Sequence, residues 1–375
     1  MKKFTPQMFL SALGAGGIAV SGFAFLNYTV EHGKGLITYA QLHTKELTTV
    51  QQLFYGFFES YMVVFSIIHF NVLAFLLKRY FAWKKTATYE KTLEDPTTAS
   101  SLLIIYIVLF MSLNVVIGVI RYFVPFLSEN FQAIMPYGFA AWLILWLFMM
   151  WKEIGLLSDS LSKKYDFDKI NFSWMLHPFA LGMATVTGTG IAALATSRPI
   201  ADAAAFISMI SFTMSLFLLI IKSTSLFRNY FSAGSLPEKQ YLPSMLNFVP
   251  IMTVLGISLF RYGHYFERNF QAHLGPFFAI ITMLVLAFET WYLFFGIYLL
   301  RDYLRKDVMR EFHPSQWSLI CPLVAYAVMG SFTYFTFLHT PLFILVISIV
   351  TVVFVMLYIY LLIRQSKQWV FEKTR

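Results

Sequence analysis

The sequence predicts an all-α, polytopic membrane protein of ten transmembrane helices arranged as five hairpins, a single transmembrane domain over residues 1–375. Three observations carry the prediction. Hydrophobic residues make up 58% of the chain and charged residues only 13%, with a mean hydropathy of +0.66; a soluble domain carries roughly 25% charged residues and could not hide so much apolar surface. Continuously apolar runs recur, each near the length of about 20 residues that lets a helix cross the hydrocarbon core with its backbone satisfied internally. A membrane β-barrel would instead show short alternating segments. Finally, short turns such as Ser197-Arg198-Pro199 and His339-Thr340 alternate with longer charged loops such as residues 78–96.

The expected spans, with ends uncertain by a few residues, are 8–30, 51–77, 99–124, 133–151, 174–196, 200–221, 242–260, 274–300, 317–338 and 341–363. Met1-Lys2-Lys3 and the run from Met8 resemble a secretory leader, but the run is too long for one and is read as a retained first span. On the short-loop side, only the first hairpin has a long connection. Of the 28 Lys and Arg residues, 22 fall in the tails and the four long loops. The positive-inside rule therefore places both termini in the cytoplasm of a chain in the cytoplasmic (inner) membrane. The net charge of +9 then faces anionic lipid headgroups, and no nucleic-acid partner is needed to explain it. The single cysteine, Cys321, cannot form an intramolecular disulfide, so its sulfur serves packing or chemistry.

Odd and even spans differ in composition. Ten of the glycines within spans lie in odd helices and four in even ones, and Pro250 and Pro322 are expected as mid-span breaks in two odd helices. Small residues let membrane helices approach closely, and a proline frees a carbonyl that a neighbour or water must satisfy. The odd helices are therefore expected to form an inner ring of five, enclosed by five outer helices and able to surround a path.

The ninth span opens with Pro314-Ser-Gln-Trp317-Ser-Leu-Ile-Cys321-Pro322-Leu-Val-Ala-Tyr326. With ten helices, five hairpins and cytoplasmic termini, this opening resembles the tellurite-resistance/dicarboxylate transporter family (TehA/SLAC-type), which includes the plant slow anion channels. It also resembles a subgroup labelled TsoY, in which such a site can carry cysteine or selenocysteine. The resemblance implies a pore through each protomer lined by the five inner helices, a plug formed by a phenylalanine just before the ninth-helix proline, and assembly as a homotrimer. Here Cys321 and Pro322 stand at that gate. A thiol is smaller than a benzyl group, so the pore would be less occluded or the gate would pass to another residue. The alternative is that Cys321 is a small buried hydrophobe, as most free cysteines are.

Arg121, Arg198 and Arg261 end the third, fifth and seventh spans on one side, where they could form an anion vestibule suited to oxyanions and carboxylates. The competing reading is that each snorkels to a headgroup. Polar residues of the inner spans are uncharged: Asn114, Thr185, Thr187, Thr189, Asn247, Thr253, Ser258 and Ser331. Such groups can line a path for a partly hydrated ion. The intramembrane acids Glu59, Asp202 and Glu289 lie in even helices and are expected to have structural partners, which favours passive conduction over proton coupling.

The expected function is thus an anion channel or transporter for a small oxyanion or carboxylate, with the lipid bilayer as its setting, no cofactor and no metal. His69 and His177 raise the alternative of a haem- or quinone-binding anchor subunit of a redox complex, and a non-conducting scaffold is the third reading. No phosphate-binding glycine loop, zinc-hydrolase motif or nucleophile elbow occurs, so nothing argues for an enzyme.

Overall fold

The computed structural model describes residues 4–33, 35–162 and 170–371. Met1, Lys2 and Lys3 lie outside them, as do Lys34, Lys163, Lys164, Lys169, Lys373 and Arg375 of the charge count. The ten long helices are α1 (Leu10–Thr29), α2 (Thr49–Trp83), α3 (Ile104–Val115), α4 (Phe131–Ser162), α5 (Leu176–Leu194), α6 (Arg198–Ala233), α7 (Phe248–Phe270), α8 (Gly275–Leu299), α9 (Ile320–Thr336) and α10 (Pro341–Phe371). α3 continues through a π-helical segment, Val116–Ile120, into Arg121–Phe123. No strand occurs among the described residues.

Nine of these helical stretches are long and apolar enough to cross a membrane. α5 falls outside that set because Gly182, Gly188 and Gly190 alternate with Thr185, Thr187 and Thr189 and dilute its apolar content. It is buried along nearly its whole length, so it needs no apolar surface for lipid. Several helices outrun the hydropathy. α4 continues to Ser162 and α6 to Ala233, past the ends at 151 and 221 expected from apolar content. α7 runs ten residues beyond 260; of its late charged residues Arg261 and Glu267 are half-buried and Arg268 is exposed.

A repeat is visible in the helix starts. α3, α5, α7 and α9 begin at Ile104, Leu176, Phe248 and Ile320, each 72 residues after the one before. A 3₁₀ segment leads into every odd helix: Pro6–Phe9, Ser100–Leu103, Phe172–Met175, Lys239–Asn247 and Pro314–Leu319. Pro178, Pro250 and Pro322 are each the third residue of their helix. There a missing N–H is one of the helix's unpartnered donors in any case, so proline costs little. Pro250 and Pro322 are therefore not the mid-span breaks expected from hydropathy; they mark the junction between 3₁₀ and α geometry.

The odd helices pack in sequence: α1 on α3, α3 on α5, α5 on α7, α7 on α9, and α9 back on α1. Their leading 3₁₀ segments follow the same cyclic order. Even helices lie outside, α2 on α1, α6 on α5, α8 on α7 and α9, and α10 on α9. Burial follows the same division. In the most apolar window, 94% of α1 is buried and 83% of the stretch containing α7, against 22% of α4 and 28% of α10.

Candidate anion vestibule

A cavity of about 1580 Å³ runs along the axis of the odd helices. All five contribute to its wall, whereas the even helices supply only Phe131, Gln132 and Met135, from the first turns of α4. The connection after α1 borders the mouth with Glu31, His32 and Thr38, among others. That connection is held down by Asn27, whose Oδ1 accepts from Ile37 N at 3.0 Å, and by Arg121, whose Nη2 donates to Ile37 O at 2.7 Å. No residue of the 3₁₀ segments lines the cavity. At its inner end stand Leu13, Phe179, Pro250 and Cys321, each within the first turn of its helix.

Cys321 is half-buried and faces the cavity, while Pro322 beside it does not. Phe179, one residue past Pro178, supplies an aromatic ring at the same level. Phe179 carries no motif in the sequence: the 72-residue repeat sets Pro178 in register with Pro322 but His177, not Phe179, in register with Cys321, so only the packed helices bring this ring to the level of the thiol.

Two of the three arginines singled out in the sequence reach the cavity. Arg121 is buried, with Nε donating to Ile117 O at 3.1 Å and its guanidinium 5.5 Å from the Phe131 ring centroid. A π-helical segment, Val116–Ile120, lies between Asn114 and Arg121, both of which line the cavity; such insertions recur at functional sites. Arg261 donates from Nη1 to Val186 O across the α5–α7 contact. Arg198 stands elsewhere: exposed at the start of α6, it binds Asp202 through Nε at 2.7 and 2.8 Å and lies 4.8 Å from the Phe270 ring centroid. The i,i+4 spacing satisfies its charge locally. Arg268, which the sequence analysis did not single out, joins the wall with His264 and Glu267, seven residues from Arg261 and so on the same face of α7. With Glu31 and Glu129 also at the mouth, the charge there is mixed, and the two arginines lie deeper.

Of the uncharged polar residues, Asn114, Thr187 and Thr253 line the cavity. Asn114 Nδ2 donates to Thr187 Oγ1 at 2.9 Å, tying α3 to α5. Thr185 does not line it. Two residues along a helix turn the side chain by about 200°, and Thr185 bonds Ser211 of α6 at 3.0 Å. Asn247 belongs to the 3₁₀ segment before α7. Ser331, like Thr189 and Ser258, is buried away from the cavity and donates back along its own helix, to Ala327 O at 2.9 Å. Thr253 has two oxygen neighbours, Val249 O at 2.9 Å and Glu289 Oε1 of α8.

The acids and histidines find separate partners. Glu59 bonds His43 and Tyr122, and Asp202 bonds Arg198 and Tyr265. His69 reaches between α1 and α3, contacting Ala12 O and Ser112 Oγ at 2.8 Å each. His177 contacts Glu153 of α4 at 2.7 Å. Among the described residues the two imidazoles are held by different partners on different helices, His69 by Ala12 and Ser112 and His177 by Glu153, and each is committed to its own contact.

These features define a polytopic helical membrane protein with a chamber cut into its inner helices and bordered by arginines. A family model described as the voltage-dependent anion channel family, SLAC1, matches residues 3–365. The chain belongs to that family, which agrees with the resemblance read from the opening of the ninth span. A comparison with curated proteins gives no match.

Proposed function

We propose that the protein conducts or carries a small oxyanion or carboxylate through a path enclosed by the five odd helices of each protomer. One observation carries the reading: a large cavity whose wall comes from all five odd helices and, beyond the first turns of α4, from no even helix. Arg121 and Arg261 raise the local anion concentration, and planar guanidinium groups match carboxylate and oxyanion geometry. Below them Asn114, Thr187 and Thr253 offer neutral donors, which replace part of a hydration shell without holding the ion too tightly to release it. In this reading the path passes Cys321 and Phe179 at the inner end of the cavity, and the packed 3₁₀ segments beyond them, which do not line it, would have to part or rearrange for an ion to cross.

In this reading both termini are cytoplasmic, the cavity opens on the opposite face of the cytoplasmic membrane, and protomers assemble as homotrimers through outer-helix surfaces rich in exposed apolar side chains such as Phe148, Phe217 and Phe294. The test is anion flux into proteoliposomes holding the purified wild type, Cys321→Phe or Cys321→Ala. Flux that falls in the phenylalanine variant and persists in the alanine one supports a path past Cys321. No flux from folded protein of any variant rejects the reading.

A further inference from the structure

Glu289 differs from the other acids buried in or near the spanning helices. Glu59, Glu153 and Asp202 each meet a histidine or arginine. Glu289 is fully buried, its Oε1 meets only the neutral hydroxyl of Thr253 among the described residues, and its Oε2 has no hydrogen-bond partner among them. An ionised carboxylate in such surroundings costs several kcal/mol.

Counting hydrogens sharpens the point. Thr253 Oγ1 carries one hydrogen but contacts two oxygens, the Val249 carbonyl and Glu289 Oε1. A carbonyl can only accept, so both contacts are hydrogen bonds only if the carboxyl brings the second hydrogen. In that state Glu289 donates to Thr253 Oγ1 while Thr253 donates to Val249 O.

Thr253 lines the cavity, and Glu289 stands directly behind it. With Glu289 protonated, the Thr253 hydrogen is free to swing from Val249 O toward an anion in the cavity, completing a relay from acid to hydroxyl to anion whose bonds polarise one another. With Glu289 ionised, the carboxylate draws that hydrogen back and sets a negative charge one hydroxyl behind the wall, which repels the anion. We propose that Glu289 is a proton-binding site coupled through Thr253 to anion occupancy, so that a proton and an anion load the pathway together; this rests on the anion-path reading above. The proton reaches Thr253 Oγ1 from the cavity as the hydroxyl's own hydrogen passes to Oε1, so O–H bonds alone are exchanged. Linkage makes the effect mutual: a bound anion raises proton affinity by the same factor that the proton raises anion affinity.

The titratable groups on elements packed against α8 leave this assignment to Glu289. On α7, Arg261, Tyr262, His264, Tyr265, Glu267 and Arg268 all lie at least eight residues beyond Thr253. Lys239 pairs with Asp307 at 2.9 Å, and Tyr241 lies at the far end of the same 3₁₀ segment. On α9, Tyr326 accepts from Thr290, Tyr334 lies against His339, and Cys321 faces the cavity. On α8 itself, Tyr292 donates to Met245 O at 3.0 Å, while Tyr298 is exposed.

The test measures nitrate flux into proteoliposomes loaded with a pH-sensitive dye, between about pH 8 and about pH 5, for wild type and variants. Wild-type flux is expected to rise roughly tenfold as pH falls, within the usual range of site coupling, with protons entering alongside nitrate. Glu289→Gln keeps a donor toward Thr253 but cannot titrate, so its flux persists, flat with pH and without proton entry. Thr253→Val loses the pH dependence with Glu289 intact, and Glu289→Asp restores a pH slope to that position. Wild-type flux that is flat with pH, or a slope retained in Glu289→Gln, overturns the proton site and leaves the anion path standing. Absence of wild-type flux at every pH overturns both.

Discussion

The guanidinium of Arg261 lies against Gly190: a side-chain carbon placed on Gly190 would meet Nη1 at 3.0 Å and Cζ at 3.4 Å. A glycine on α5 therefore makes the room that lets an arginine of α7 project into the cavity and donate to Val186 O. Arg261→Gln is expected to lower anion flux about fivefold at low ionic strength, with the deficit shrinking as salt screens the field. Gly190→Val should reproduce part of that loss by displacing the same guanidinium, and Arg198→Gln should leave flux near wild type, because Arg198 is spent on Asp202. Flux at two ionic strengths distinguishes these outcomes; an equal loss in the Arg198 variant would contradict the placement.

Phe179 and Cys321 stand at the same inner end of the cavity. Phe179→Ala should raise flux several-fold if the ring obstructs the path, and Phe179→Ala with Cys321→Phe should return it toward wild type. A small charged thiol reagent should reach Cys321 from the cavity side and not from the side of the 3₁₀ segments, read as protection against a later biotinylating label.

Gly16 allows His69 to pass between α1 and α3. A carbon at Gly16 would meet His69 Nδ1 at 2.7 Å and Met111 Cγ at 2.7 Å. Gly16→Ala must push the ring off Ala12 O, so a loss of about 1–3 kcal/mol is expected, as for other overpacked cores. A lowered midpoint of thermal unfolding in detergent would show it, and Gly56→Ala, where nothing lies within 4 Å, is the control.

Glu153, His177 and Lys222 are buried together where α4, α5 and α6 approach one another, with the Lys222 ammonium 4.3 Å from the Trp174 ring centroid. Glu153 Oε1 contacts His177, while Lys222 Nζ has no hydrogen-bond partner among the described residues. Glu153→Gln weakens the contact with His177 and removes the acid from this cluster, and should cost about 1–3 kcal/mol. Adding Lys222→Met should recover part of that loss, because a buried ammonium without a hydrogen-bond partner is removed with the acid. Thermal unfolding of the three variants forms a double-mutant cycle, and additive losses would show that the two groups do not interact.

Much of the architecture was legible in the order of residues. Apolar runs announce the spans because a helix in hydrocarbon must satisfy its backbone internally and present apolar side chains to lipid, and both demands act on composition over about 20 residues. The excess of glycine in odd helices marked those that pack most closely, and the ninth-span opening from Pro314 to Tyr326 pointed to the family. None of this depends on which way an individual side chain points.

Direction is what the packed structure supplied. Thr185 and Thr187 read alike in sequence, yet one faces Ser211 and the other the cavity, because helix rotation is set by neighbouring helices and not by hydropathy. Arg198 and Arg261 both end apparent spans, but a local acid holds the first while a glycine across the interface admits the second. Glu289, placed by parity among the outer helices, reaches through the wall to Thr253, a contact between residues 36 apart. Composition integrates over a helix, whereas a site is made where a few side chains from several helices converge, and only the fold brings them to one place.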